Sequence, residues 1–260
     1  MSALRRKLRV ARKLPAQALT GLFSRAAFYL QGQMDIHPAS RWYNEPFVRR
    51  FGGFSPKSDT SQRAVMNLQP WDCVRRDMLV LLLRGVEERQ VSGDFAELGV
   101  YRGSTARLIH RYAPARILHL FDTFTGFDRA DVALERAAES PRGTPAYFSN
   151  TSLAKVVDVV GEPRHTVLTH PGRFPDSIPP ELSSRSFAFV HLDADLYAPI
   201  RSGLEFFYPR LSRGGVLVIH DYNAWEGARQ AVDEFFADKP ELPVPMPDKS
   251  GSAVILRMAR

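Results

Sequence analysis

Residues 94–112, DFAELGVYRGSTARLIHRY, decide how the rest of the chain is read. DFAEL is short and largely apolar, and it stops at Gly99. Gly103 follows four residues later, then two hydroxyl residues, Ser104 and Thr105, and then apolar positions at helical spacing to about Tyr112. A strand that breaks at glycine and resumes as a helix lets the backbone turn sharply and come close to a ligand. The helix start adds free N–H groups and, here, hydroxyls. By itself Gly-x-x-x-Gly serves a structural turn equally well.

The flanking sequence settles the context. Upstream, WDCVRRDMLVLLLRGVEER reads as a long helix with Val74, Met78, Leu82 and Val86 along one side. Downstream, ARILHLFD reads as a strand, and a long loop follows from Thr123 to Asn150. SLAKVVDVVG is a helix capped by Asn150 or Thr151, HTVLTH and SFAFVHLD are strands, and IRSGLEFFYPRL is a helix. GVLVIHD is a strand, EGARQAVDEFF a helix, and PVPMP and SAVILRMA form two strands joined by a tight turn at DKSG. Helices alternating with apolar strands predict an α/β fold whose mostly parallel sheet has helices on both faces. Such sheets bind ligands beyond the carboxyl ends of their strands, where the strand order reverses.

What stands at those strand ends is therefore the informative list. Asp122 ends the second strand, 23 residues beyond Gly99, close to the spacing at which an acid accepts hydrogen bonds from a ribose diol. Alone it would serve equally as a cap for the next turn. The fourth strand ends in His191-Leu192-Asp193-Ala194-Asp195 and the fifth in His220-Asp221. Several ionisable groups at adjacent strand mouths are costly to desolvate unless something uses their charge. Separately, Asp193 and Asp221 read as helix caps and His220 as a core residue; together they suggest a divalent cation. Mg²⁺ is the first expectation from the oxygen ligands, and the imidazole leaves room for Mn²⁺, Fe²⁺ or Zn²⁺.

ELGVYRGST, FDTFTGF, HLDADLY and IHDY, in this order, resemble the class I S-adenosylmethionine-dependent methyltransferases, specifically the macrocin-type (TylF/MycF-like) small-molecule O-methyltransferases. The resemblance runs from about Asp94 to Phe236 and implies a Rossmann-like class I methyltransferase fold with a seven-stranded sheet and an N-terminal helical extension. It implies S-adenosylmethionine held by Glu97, Gly99, Gly103, Ser104, Thr105, Asp122, Thr123 and Asp195. It implies a metal on Asp193, His220 and Asp221, with histidine standing where the family usually has aspartate. His191, Asp193 and Asp195 are the local candidates for a base, with Asp193 and His191 the expected catalytic groups. A hydroxyl beside the metal loses its proton more easily and attacks the sulfonium methyl, and the acceptor class is a sugar or phenol hydroxyl of a small natural product.

Composition limits the alternatives. The 260-residue chain carries a net charge of +7, but residues 1–34 hold seven basic residues and no acid, which accounts for the whole excess. The body is formally neutral and has no general attraction for nucleic acid. We divide the chain into a basic N-terminal arm (1–34), a cap or lid segment (35–69) and the methyltransferase domain (70–260). The arm reads as a membrane-surface helix, a presequence or a tail docked on the domain. Peripheral membrane contact through it and homo-oligomerisation are both compatible with the sequence. No run approaches a membrane span, a single cysteine (Cys73) excludes an internal disulfide, and a cytoplasmic location is expected. The competing readings are a nucleic-acid methyltransferase, a non-catalytic protein attached to membrane by its arm, and a dehydrogenase. The last is disfavoured because Glu97 would repel a pyrophosphate.

Overall fold

The computed structural model describes residues 72–137 and 146–258. The basic arm, the 35–69 segment and the helical extension expected there lie outside the described residues. The elements run α1 (Cys73–Glu88), β1 (Asp94–Leu98), α2 (Ser104–Tyr112), β2 (Leu118–Asp122), α3 (Arg129–Ala137), α4 (Leu153–Val160), β3 (Val167–Pro171) and β4 (Phe187–Leu192). They continue with α5 (Tyr197–Phe207), β5 (Leu211–Ile219), α6 (Glu226–Phe236), β6 (Val244–Pro245) and β7 (Ala253–Leu256). The seven strands form one sheet in the order β3-β2-β1-β4-β5-β7-β6, with β1 to β5 parallel and β7 antiparallel to both its neighbours. This is the expected doubly wound, Rossmann-like α/β fold.

The hydrophobic pattern explains the layers. All six residues of β4 are buried, His191 included, because α1 and α5 both pack on it. Such a strand must read as a continuous apolar run. Phe121, Phe174, Phe187 and Phe207 interlock in the core, Phe207 standing edge-on to Phe121 and Phe187 and stacked on Phe174, with centroid separations of 5.0–5.8 Å. Helix α1 buries Met78 and Val86 as expected, but Val74 is 46% exposed and Leu82 half-buried, while Leu79, Val80 and Leu83 join the buried face.

Two other expectations are corrected. The stretch from Thr123 to Asn150 is not all loop, since α3 occupies its middle, started by Asp128, whose Oδ1 accepts from the Ala130 N–H at 2.8 Å. The cap of α4 is Ser152 rather than Asn150 or Thr151, with its Oγ accepting from the Lys155 N–H. At the end of the chain the DKSG turn is closed by Asp248, whose carboxylate takes both the N–H and the hydroxyl of Ser252 at 2.7 Å. Among the described residues no helix is long and apolar enough to cross a membrane.

Candidate functional site

The strand order reverses between β1 and β4. The chain winds from β1 outwards to β3, then returns to the other side of β1 for β4. The loops leaving these two strands therefore diverge and open a crevice. The two loops are still tied where they start, since the Asp193 N–H donates to the Leu98 carbonyl at 2.7 Å, while the Gly99 N–H goes to the Phe121 carbonyl of β2 at 2.9 Å. Gly99 has φ +85°, and a Cβ there would lie 2.1 Å from the Asp193 carbonyl oxygen. This glycine is required by the close approach of the β4 loop as well as by any ligand.

A cavity of about 270 Å³ fills the crevice. Of the expected cofactor residues, Glu97, Gly99, Ser104, Thr105, Asp122, Thr123 and Asp195 line it, as do all three expected metal ligands. Gly103 stands behind the loop as the left-handed cap of α2, at φ +77°. His191 is fully buried on β4 and does not border the cavity.

The acid at the end of β2 is held by main chain. Asp122 Oδ2 accepts from the N–H groups of Val100 (2.7 Å) and Tyr101 (2.8 Å), and Oδ1 from that of Phe124 (2.6 Å). The carboxylate thereby ties the glycine loop to the β2 loop and keeps lone pairs for a ligand diol. Thr151 Oγ1 donates to the Tyr101 carbonyl and the Tyr101 hydroxyl to Asn150 Oδ1 at 2.7 Å, fixing the far side of the same loop.

At the β4 and β5 ends the partners are side chains. His220 Nδ1 lies 2.7 Å from Asp193 Oδ1 and 3.3 Å from Asp221 Oδ2. The short approach is off the N–H axis, so it is a close ion pair, and this buried nitrogen has no well-aligned hydrogen bond. Burial disfavours charge on His220, but Asp193 beside it more than compensates and the imidazole pKa rises to about 9. Burial likewise opposes the charge on Asp193 and Asp221, yet His220 holds both below the usual carboxylate range. Asp195 goes the other way, raised well above its ordinary value by burial and by its hydrogen bond with Asp221.

One donor atom from each of Asp193, His220 and Asp221 lies within 4.8 Å of the others. Two carboxylates and an imidazole, with a buried ring nitrogen lacking an aligned partner, fit a divalent cation of the Mg²⁺, Mn²⁺ or Zn²⁺ type. Behind them His191 Nδ1 meets Glu97 Oε1 at 3.0 Å. Burial lowers the His191 pKa to about 3 and raises that of Glu97 well above its ordinary value. The neutral imidazole pairs with Glu97 and touches the cavity only through it.

The sequence did not disclose every contributor. Arg75, in the first turn of α1, reaches the cavity, and its signal was hidden in the adjacent pair Arg75-Arg76. Phe127 and Phe148 form an aromatic wall, their centroids 5.2 Å apart, with Trp225 edge-on to Phe127 at 5.9 Å. Tyr222 only packs, its hydroxyl on Asp233 at 2.6 Å, and Arg173 closes the β3 loop onto Asp131. His170 stacks on Phe121 at 4.4 Å, away from the cavity.

Six non-glycine residues among those described have φ between +51° and +60°. Tyr101, Phe148, Asp195 and Asp221 line the cavity, and Phe124 adjoins Thr123, which does. Strain gathered at one place in this way marks a functional site more often than a random surface.

Comparison with known proteins agrees with the fold. The 8-demethyl-8-(2,3-dimethoxy-alpha-L-rhamnosyl)-tetracenomycin-C 4′-O-methyltransferase of Streptomyces olivaceus is 30% identical over 173 residues, covering 62% of this chain and 64% of that protein. The demethyldecarbamoylnovobiocin O-methyltransferase of Streptomyces niveus is 29% identical over 219 residues, covering 75% of this chain and 80% of the relative. The solved structure of the O-methyltransferase NovP superposes with a TM-score of 0.61 at 25% identity, covering 74% of this chain and 83% of that one. The family model described as Macrocin-O-methyltransferase (TylF) matches residues 73–257, and the chain belongs to that family.

Proposed function

We propose that the protein is an S-adenosylmethionine-dependent O-methyltransferase acting on a hydroxyl of a small glycosylated natural product, assisted by a divalent cation, Mg²⁺ foremost. Family membership and the names of the relatives support the reaction and the acceptor class. The observation that carries the reading is that one cavity is bordered both by the glycine loop with Asp122 and by the convergent donors of Asp193, His220 and Asp221.

In this reading the bound cofactor supplies an electrophilic methyl group, and the cation a charge that lowers the pKa of an adjacent hydroxyl. The chain itself positions the reactants. Asp122 accepts from the ribose diol, and its three backbone bonds set its direction before any ligand arrives. Asp195 and Glu97 receive the ammonium end of the methionine moiety, with Glu97 steadied by His191. Asp193 is kept ionised beside His220, which suits a metal ligand better than a proton acceptor, and His220 would give up the proton it otherwise carries when a cation is bound there. Phe127 and Phe148 offer flat apolar faces to the acceptor.

The test is calorimetric titration with S-adenosylhomocysteine, followed by labelled methyl transfer from S-adenosylmethionine to a panel of glycosides and phenols, with Mg²⁺ and then with chelator. Binding of the product and metal-stimulated labelling of a glycoside are expected. No binding under either condition would sink the reading, and transfer unaffected by chelator would remove the cation from it.

A further inference from the structure

We propose that Arg75 is the binding group for the α-carboxylate of the cofactor's methionine moiety; the inference rests on the S-adenosylmethionine reading above and extends it to a helix outside the motifs that suggested it. The cavity is bordered by seven carboxylate side chains and, among the described residues, by a single guanidinium. A ligand with both an ammonium and a carboxylate meets an abundance of partners for the first and a scarcity for the second. Its carboxylate has to avoid the ionised Asp193 and Asp221; of the two cationic side chains that border the cavity, His220 is flanked by those same carboxylates, which leaves the permanently charged fork of Arg75.

The local geometry agrees. Arg75 Nη2 donates to Thr105 Oγ1 at 3.2 Å, which brings the guanidinium to the start of α2, next to the glycine loop. Nη1 stands 3.6 Å from Asp193 Oδ2, an ion pair too long for a hydrogen bond, and the buried Nε has no hydrogen-bond partner. The fork is thus anchored by one bond and its donor capacity is not used up. Its backbone is fixed as well, since the Arg75 N–H donates to Asp72 Oδ1 at 3.0 Å, the N-cap of α1. The side chain is 14% exposed, so a carboxylate bound there would be well desolvated and the charged bonds correspondingly strong. The competing role for Arg75 is that of a counter-charge to Asp193, which would be indifferent to the carboxylate of any ligand.

Binding of S-adenosylmethionine and of its decarboxylated analogue, which lacks only the carboxylate, separates the two roles. Calorimetry on the full chain should give a preference of about ten- to a hundred-fold for S-adenosylmethionine, the range expected for hydrogen bonds to a charged group. Arg75→Gln should abolish that preference by weakening S-adenosylmethionine alone, and Arg75→Lys should restore part of it. Retention of the full preference by Arg75→Gln, or equal weakening of both ligands in both variants, would overturn the assignment while leaving the methyltransferase reading intact. Equal affinity of the wild type for the two ligands would also overturn it. Failure of the wild type to bind either ligand would instead bring down the methyltransferase reading and this inference with it. Binding of the analogue by each variant serves as the check that the pocket is folded.

Discussion

The two halves of the cavity are held in shape by different means. At the β1 and β2 ends, Asp122 is fixed by three main-chain N–H groups, so its position follows from the path of the backbone. At the β4 and β5 ends, Asp193, His220 and Asp221 are fixed by one another and by Arg75, with ion pairs of 2.7–3.6 Å and no backbone clamp among those contacts. The first half is part of the fold's own bonding and the second is a set of side chains resting on it. A change in the first should therefore alter binding and stability together, whereas a change in the second should alter chemistry while the frame persists.

The largest effect tests the second half. Asp193→Ala should lower turnover by about a thousand-fold or more while S-adenosylhomocysteine binds within about threefold of wild type, as expected for loss of a group acting through charge at the reacting centre. Parallel losses of turnover and of melting temperature would erase the contrast. Next, Asp122→Ala leaves three N–H groups without their acceptor, and it should weaken S-adenosylhomocysteine by about ten- to a hundred-fold and lower the melting temperature by several degrees. Full thermal stability in that variant would show that the clamp is dispensable.

The smallest effect lies outside both halves. Burial, helped by neighbouring His119, lowers the His170 pKa from 6.5 to about 4. The unfolded chain then takes up a proton before the folded one does, so stability present above pH 6.5 is lost as pH falls towards 4. His170→Gln should lose less stability than wild type between pH 7 and 4.5, read from urea midpoints. An identical loss in both proteins would mean that His170 titrates normally.

Most of the sheet was legible because strands buried on both faces must be apolar throughout, and GVLVIHD and SFAFVHLD leave little choice. The face of α1 was legible only in part, at Met78 and Val86, because in MLVLLL every position is apolar and packing on α2, β4 and β5 selects the rest. Helix α3 escaped because its flanks are rich in charged residues and its N-terminal capping acid, Asp128, resembles any loop aspartate. At the site, the acids were legible as a group at strand ends, which chain order alone reveals. His191 read in sequence as a catalytic candidate at a strand mouth, yet strand alternation and the β1 pairing turn it inwards to Glu97. Arg75 was hidden because the connection between α1 and α2 is tertiary.

The left-handed residues around the cavity carry a consequence for anyone who would engineer this enzyme. Each non-glycine residue held at positive φ costs roughly 1–2 kcal/mol, and Tyr101, Phe124, Phe148, Asp195 and Asp221 share that condition. Substituting glycine at these positions is the shortest route to a hardier protein and also the route most apt to silence it, because four of the five line the cavity proposed to hold the reactants. A stabilisation campaign that ranks mutations by melting temperature alone would converge on the rim of the proposed site first. Restricting the library to positions such as Gln90, which shares the backbone geometry but does not border the cavity, separates robustness from activity.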